Sequence, residues 1–466
     1  MVDLEFIAKR ALRQGCSYAR RKLIEEYMFS KGFTKELASK FADAVLAEIR
    51  LSESPAKNML VQKVLSTEGS GVAAGVFGVG SRGAGDILVH DLIARTAHSA
   101  NANSSVNVVI DPLDHDDAGA VEWEGLTLFC SVDGAHSRLS NFPFLMGFHD
   151  ARAALRDVCA KGAVPVALVD DVHLADDGDV SKILEFVAGV SAVSEITGVP
   201  LVAGSTLRVG GDMVLGDRLV GAVAAFGVTK GAYDSKKNVK PGDVVIMTEG
   251  AGGGTVCTAA IYSGNSDVVF ETLNLDFFFA LKALREKGAL KLAHAITDVT
   301  NGGVRGDLEV MSKKSGVRIT VEREALLSMV NAKVLELLTK LKIDPLGLSL
   351  DSLLLFVPRE NAEAVLSALP VKSKVVGVVD KGEGCFIREK DGTISELKPK
   401  FRESAYTGLK KLVGEEAPPD RAVLEKAIEA AWRRITEKKE LAVSAVRRRY
   451  SGSLSMSAPR FQGDAT

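Results

Sequence analysis

The chain is predicted to be an α/β protein of the α+β kind, with additional helical segments at both ends. Three observations predict this. Between residues 107 and 228, apolar strand-like runs come in pairs between helices rather than in strict alternation with them, which fits a mixed or antiparallel sheet. A second block of strands and helices follows a polar break at residues 230–242, so two α/β domains are expected. At the two ends of the chain the apolar positions recur at helical spacing instead.

The bulk numbers set the limits. With 466 residues the chain can hold two or three domains and a large core. It is 46% hydrophobic and 25% charged with a formal net charge of -2, so nothing draws it globally to nucleic acid. No apolar run reaches the roughly 18 residues of a membrane span, and the first residues read as an amphipathic helix rather than a signal peptide. A cytoplasmic location without membrane or nucleic-acid partners is expected. The five cysteines show no CxxC spacing, which argues against a zinc site or a disulfide framework.

Residues 1–66 are predicted to be helices, broken at 30–32 and 52–55, forming a small helical cap or docking segment. Residues 68–86, EGSGVAAGVFGVGSRGAGD, are rich in glycine and lead into a short helix, ILVHDLIARTA. Such a loop either wraps phosphates with its N–H groups, with Arg82 adding charge, or is a flexible linker. It is not a P-loop, since the G-K-[ST] ending is missing. A helix over 179–197 is predicted, with Val180, Ile183, Leu184, Phe186, Val187, Val190 and Val193 as a broad buried stripe. After the break, VVIMTEG runs into AGGGTVCTAAI, a second glycine-led helix start where an anion could sit. Residues 399–450 turn helical again, and 451–466 are expected to be disordered.

The stretch 108–162 carries the chemistry. A strand at 108–121 is expected to end in Asp111, Asp114, Asp116 and Asp117; the strand LTLFCSVDGAH brings Asp133; the helix HDARAALRDVCAKGA brings Asp157. Carboxylates converging from three elements repel one another unless a cation neutralises them, and Mg2+ bridging to phosphate suits such a group. Each taken singly could equally be a solvated strand end. In the second domain Asp298, Thr300 and Asn301 precede a Gly-Gly turn, where the backbone can approach a ligand closely.

Taken in order, these motifs resemble the superfamily of aminoimidazole ribonucleotide synthetase (PurM), thiamine monophosphate kinase, selenophosphate synthetase and the hydrogenase maturation factor HypE, and come nearest to an uncharacterised HypE-like branch. GSRGAGDILVHDLI is similar to the glycine-rich loop over the nucleotide, HDDAGAV resembles the GDDAAV-type motif, and SVDGAH and RDVCAKGA look like the family's SVD strand end and N-D-x-A-x-x-G-A helix. ITDVTNGG is close to the D-P-T-x-G-G motif. The resemblance implies a PurM-like fold: an ATP- and Mg2+-binding domain at 67–232, whose sheet pairs with that of a second subunit into a β-barrel, and a second domain at 233–398. It implies metal at Asp116, Asp117, Asp133 and Asp157, and nucleotide at Gly80, Ser81, Arg82, Gly83, Gly85, Asp86, Gly204 and Thr206. Asp133 and Asp298 take catalytic places, with Asp298, Thr300 and Asn301 on the substrate side.

Two departures stand out. Ser205 occupies the place of an acidic residue usual before the Thr, and the last cysteine is Cys385, so HypE's cysteine-ended tail is missing. The function expected is ATP-dependent activation of a small oxygen-bearing substrate, by phosphoryl transfer or ATP-driven dehydration, in a homodimer acting on an unidentified small-molecule or protein acceptor, with metallocofactor maturation as one setting. The alternative is a catalytically silent nucleotide-binding scaffold that docks a partner.

Overall fold

A computed structural model describes residues 1–230, 235–300 and 302–450. Asn301 and the expected disordered tail at 451–466 lie outside the described residues. The chain divides into two compact units, one made of residues 1–65, 132–151 and 168–224, the other of 66–131, 152–167 and 225–466.

In the first unit the N-terminal segment forms the helices Leu4–Leu12, Cys16–Lys31 and Lys35–Ser52. Local chemistry fixes their ends. The Asp3 side chain accepts from the Phe6 N–H at 2.9 Å, Gly32 closes the second helix at φ 64°, and the Thr34 hydroxyl accepts from the Leu37 N–H at 3.3 Å. Leu4, Ala8, Leu23, Tyr27, Ala42 and Ile49 face one another in a small core that also takes in Leu215. Each large apolar side chain buried there contributes about 1.5–3 kcal/mol. Val2–Asp3 pairs antiparallel with Val214–Leu215, and Lys31 pairs with Asp177 at 2.7 Å, so the helical segment is built into this unit. The strand Val164–Leu174 runs parallel to Leu201–Arg208, with the helix Ser181–Thr197 connecting them. That helix buries a narrower stripe than its sequence predicts. Phe186, Val190 and Val193 are buried, while Val180 and Leu184 are each 66% exposed.

In the second unit, the single strand predicted over 108–121 is instead a strand Asn107–Ile110, a 3₁₀ turn Pro112–Asp114 and a strand Gly119–Trp123. Pro112 cannot donate to a ladder, and Asp111 and Asp114 cap the turn reciprocally: Asp111 accepts from the Leu113 N–H at 2.9 Å, and Asp114 from the Asp111 N–H at 2.9 Å. Gly119–Trp123 pairs antiparallel with Leu126–Gly134. The larger sheet has seven strands, in the order Ala295–Asp298, Leu353–Pro358, Asp243–Thr248, Ser373–Lys381, Val317–Glu322, Gly384–Arg388 and Ile394–Glu396. Its neighbours are antiparallel except for Val317–Glu322 with Gly384–Arg388. Such a mixed sheet matches the α/β class expected. Val245, Met247, Leu308, Met311, Ile319, Leu354 and Phe356 form its core against the helix Gly303–Ser315.

The glycine-rich stretch is ordered by the C-terminal segment. Ala84 and Gly85 donate their N–H groups to the carbonyls of Lys400 and Phe401 at 2.7 and 3.0 Å. A Cβ on Gly83 would meet the Phe401 carbonyl oxygen at 2.6 Å, so only glycine allows this approach. The helix that follows, Ala84–Asn101, is longer than predicted and runs beside the C-terminal helix Arg421–Tyr450.

Candidate functional site

The second unit brings several of the acidic candidates into one buried network of charges. Asp116 and Asp117 stand in the connection between the strands Asn107–Ile110 and Gly119–Trp123, where the polar turn sets them inward. Lys161, in the turn after the helix Pro143–Ala160, donates to Asp116 Oδ1 at 2.5 Å and to the Ile296 carbonyl at 3.1 Å, and its Nζ lies 3.0 Å from Asp117 Oδ2. Lys236 reaches Asp117 Oδ1 with its ammonium and Asp116 Oδ2 with its backbone N–H at 3.2 Å. Thr297 adds a hydroxyl to Asp117 Oδ1 at 3.1 Å. Burial opposes charge on Lys161, Lys236 and Asp117, but the pairing outweighs it. The carboxylates of Asp117 and Asp116 pull Lys161 up, and Lys161 with Lys236 pulls Asp117 down to about 2.

Beside this group lies a second one. Arg156 pairs through Nε with Asp298, and its Nη1 is 2.9 Å from Asp351 Oδ2. Arg152 is 3.0 Å from the same oxygen and donates to the carbonyls of Gly252 and Thr272 at 3.0 and 3.2 Å. Burial lowers Arg152 to about 10 despite Asp351, whereas on Arg156 the pull of Asp351 and Asp298 outweighs burial and raises it. Asp298 itself is pushed up by burial against the pull of Arg156. Asp351 adopts φ 57°, an uncommon left-handed conformation for a residue with a side chain, and its carboxylate lies against Gly253 at the start of the helix Gly254–Tyr262. The glycine-led helix start that could take an anion therefore faces a carboxylate of the chain itself. Four cations, Lys161, Lys236, Arg152 and Arg156, thus face Asp116, Asp117, Asp298 and Asp351. Asp307 is the next buried carboxyl, accepting from the Thr300 N–H at 2.8 Å; burial, then Asp298, push it well above 3.8.

A cavity of about 850 Å³ opens against this network. Arg82, Gly83 and Asp86 line it from the end of the glycine-rich stretch, His115 and Asp116 from the acidic loop, together with Lys236, Asp307 and Lys314. The loop's N–H groups do not face it freely. Those of Gly80 and Arg82 donate to the Asp86 carboxylate, that of Ser81 to the Gly78 carbonyl at 3.0 Å, and that of Gly85 to Phe401. Charged side chains of both signs, Arg82, Lys236 and Lys314 together with Asp86, Asp116 and Asp307, line the cavity rather than a backbone nest.

Asp157 accepts from the Ser131 hydroxyl at 2.6 Å. Asp133 ends the strand Leu126–Gly134 in the other unit and is half-buried. Gly204 and Thr206 are exposed on the strand Leu201–Arg208, where Asp170 and Asp171 stand in register with Gly204 and Ser205. Carboxylates on the adjacent strand thus flank the position where Ser205 lacks one. Sequence reasoning missed Lys161, Lys236, Arg152, Arg156 and Asp351. One signal was available, since a lysine within the apolar run VCAKGA must find a counter-charge if that run is buried.

Mg2+ takes six oxygens in near-octahedral geometry. At the Asp116–Asp117 pair the carboxylates are bonded to ammonium groups instead, and among the described residues no group of three or more His, Cys, Asp or Glu is placed to hold a metal ion. The pair as it stands does not fit Mg2+.

Residues 115–229 match the N-terminal domain and residues 240–390 the C-terminal domain of the family described as AIR synthase related protein. An uncharacterized protein of Methanocaldococcus jannaschii is 45% identical over 457 residues, covering 96% of this chain and 99% of the relative. The thiamine-monophosphate kinase of Methanopyrus kandleri is 28% identical over 44% of this chain and 63% of its own. Phosphoribosylformylglycinamidine synthase subunit PurL of Saccharolobus solfataricus is 25% identical over 49% of this chain, which spans only 36% of that relative. Among solved structures, a chain of a HypE–HypF complex superposes with a TM-score of 0.53 at 22% identity, covering 66% of this chain and 99% of that one. AaThiL complexed with AMPPCP and TMP gives 0.51 at 20% identity, covering 68% and 96%. Both likenesses are of fold.

Proposed function

The chain belongs to the AIR synthase related family, and from that premise we propose that it is an ATP-dependent enzyme that activates a small oxygen-bearing substrate, by phosphoryl transfer or ATP-driven dehydration. The observation that carries the proposal is the cavity of about 850 Å³ at which the glycine-rich motif and the acidic motif meet, bordered by Arg82, Lys236 and Lys314. A solved neighbour of the same fold holds AMPPCP, and a curated relative is a kinase, which supports a nucleotide as the ligand.

In this reading Arg82 and Lys314 meet the phosphates, and positive charge fixed in a part-buried wall stabilises negative charge as it develops on the transferred group. Asp298 and Thr300 orient the acceptor, and Asp157, whose charge acts on Arg156, is a further carboxylate for the reacting group. Any Mg2+ travels with the nucleotide, and no step is routed through a metal at Asp116 and Asp117. The proposal includes a homodimer. Along the strand Leu126–Gly134, Phe129 and Ser131 are buried while Val132 between them and the end is 69% exposed, an apolar face suited to a second sheet.

A specific observation favours the scaffold as a second reading: the carboxylates of the acidic motif are already neutralised by lysines. Incubation with ATP and pooled small-molecule acceptors, followed by ADP formation, separates the two. Acceptor-dependent ADP supports the enzyme; saturable ATP binding with no ADP from any pool supports the scaffold.

A further inference from the structure

Lys161 is 0% exposed. Its ammonium donates to Asp116 Oδ1 at 2.5 Å and to the Ile296 carbonyl at 3.1 Å, and lies 3.0 Å from Asp117 Oδ2 as an ion pair without hydrogen-bond geometry. Lys236 is likewise buried, with its ammonium on Asp117 Oδ1 and 3.3 Å from the His115 carbonyl. The outer oxygen of Asp116 takes the Lys236 N–H at 3.2 Å and the Ser235 hydroxyl at 3.3 Å. Three of the four carboxylate oxygens of the pair thus accept hydrogen bonds, the fourth, Asp117 Oδ2, is held by the charge of Lys161 alone, and two charges balance two.

We infer that Lys161 and Lys236 take the cation's place at Asp116 and Asp117, so that the pair is a metal-free pin rather than a divalent-cation site. A divalent ion entering here would sit within a few ångströms of two ammonium groups and compete with them for the same oxygens. Neither lysine can step aside cheaply, because a buried ammonium stripped of its partners is strongly destabilising. The pin also has a mechanical consequence. Through Lys161 to the Ile296 carbonyl and through Thr297 to Asp117, it fastens the acidic loop to the strand Ala295–Asp298. His115 and Asp116, which line the cavity, are thereby set in place without any metal.

The test uses the full chain, Mn2+ as the probe and no nucleotide. Free Mn2+ is followed by its electron paramagnetic resonance signal during titration. The wild-type chain and Asp117→Asn are expected to give the same curve, while Lys161→Met, which removes one ammonium and keeps the length, binds Mn2+ roughly tenfold more tightly than wild type and melts at a higher temperature with Mn2+ than without. Stoichiometric Mn2+ binding to the wild type that Asp117→Asn abolishes overturns the inference, as does a folded Lys161→Met that binds no better than wild type. If Lys161→Met does not fold, Lys236→Met is expected to show the same gain, and the comparison of wild type with Asp117→Asn decides independently. Because no arm contains nucleotide, the outcome is separate from that of the ATP proposal.

Discussion

Trp432 on the C-terminal helix donates its indole N–H to Thr96 Oγ1 at 2.9 Å, fastening that helix to the one that follows the glycine-rich stretch. Arg434 extends the connection to Glu68 at 3.0 Å and to the Gly69 carbonyl at 3.1 Å. The C-terminal extension therefore acts on the loop that borders the cavity.

Truncating that side chain should loosen the loop. Trp432→Ala is expected to cost about 2 kcal/mol, less than a fully buried aromatic because the side chain is only part-buried. Urea unfolding measures the loss, and faster amide exchange over residues 66–86 distinguishes loosening of the loop from a uniform effect.

Arg156 answers to two carboxylates, so its loss strands both. Arg156→Met is expected to lower stability by about 3–5 kcal/mol, the range for removing one partner of a buried ion pair. Adding Asp298→Asn to that variant should recover part of the loss. A double-mutant cycle by chemical denaturation checks the coupling, and strict additivity would contradict it.

Asp307 supplies a pH dependence whose sign is fixed by its environment. Its folded pKa is raised well above 3.8, first by burial and then by Asp298, so the folded state retains a proton that the unfolded chain releases. The contribution is fully present below the unfolded value and is lost as pH rises through the folded one. Asp307→Asn should match wild type at acidic pH and become the more stable chain as pH increases toward neutrality. Unfolding curves for both across that range read the divergence; parallel curves would refute it.

Val132 tests the dimer. With 69% of it exposed on a strand whose alternate residues are buried, Val132→Lys should shift the chain from dimer to monomer in light scattering coupled to size exclusion, with little change in melting of the monomer. A wild-type chain that is monomeric at every concentration would remove the homodimer from the account.

Much of the fold was legible because periodicity and turn chemistry act locally. The strand Val164–Leu174 and the N-terminal helices fall where their patterns put them. The strand at 108–121 failed at Pro112, where turn chemistry overrode an apolar run, and the helix Ser181–Thr197 buries less than its apolar stripe offers, since composition does not tell which apolar faces are covered within one chain. At the site, the acidic motif was visible as a run of carboxylates, but its counter-charges were not. Lys161 and Lys236 are 75 positions apart in sequence, and only the fold brings both to Asp117. The loop's glycines were legible as permissive backbone, yet what approaches Gly83 is the carbonyl of Phe401, more than three hundred residues away along the chain.

Hydrogen exchange of the full chain with and without ATP reads where the nucleotide sits as well as whether it binds. The account predicts protection in three segments that border one cavity: the start of the helix Ala84–Asn101, the loop at residues 111–116 and the helix Gly303–Ser315. Unchanged exchange in all three at saturating ATP, or protection confined to other parts of the chain, would contradict it.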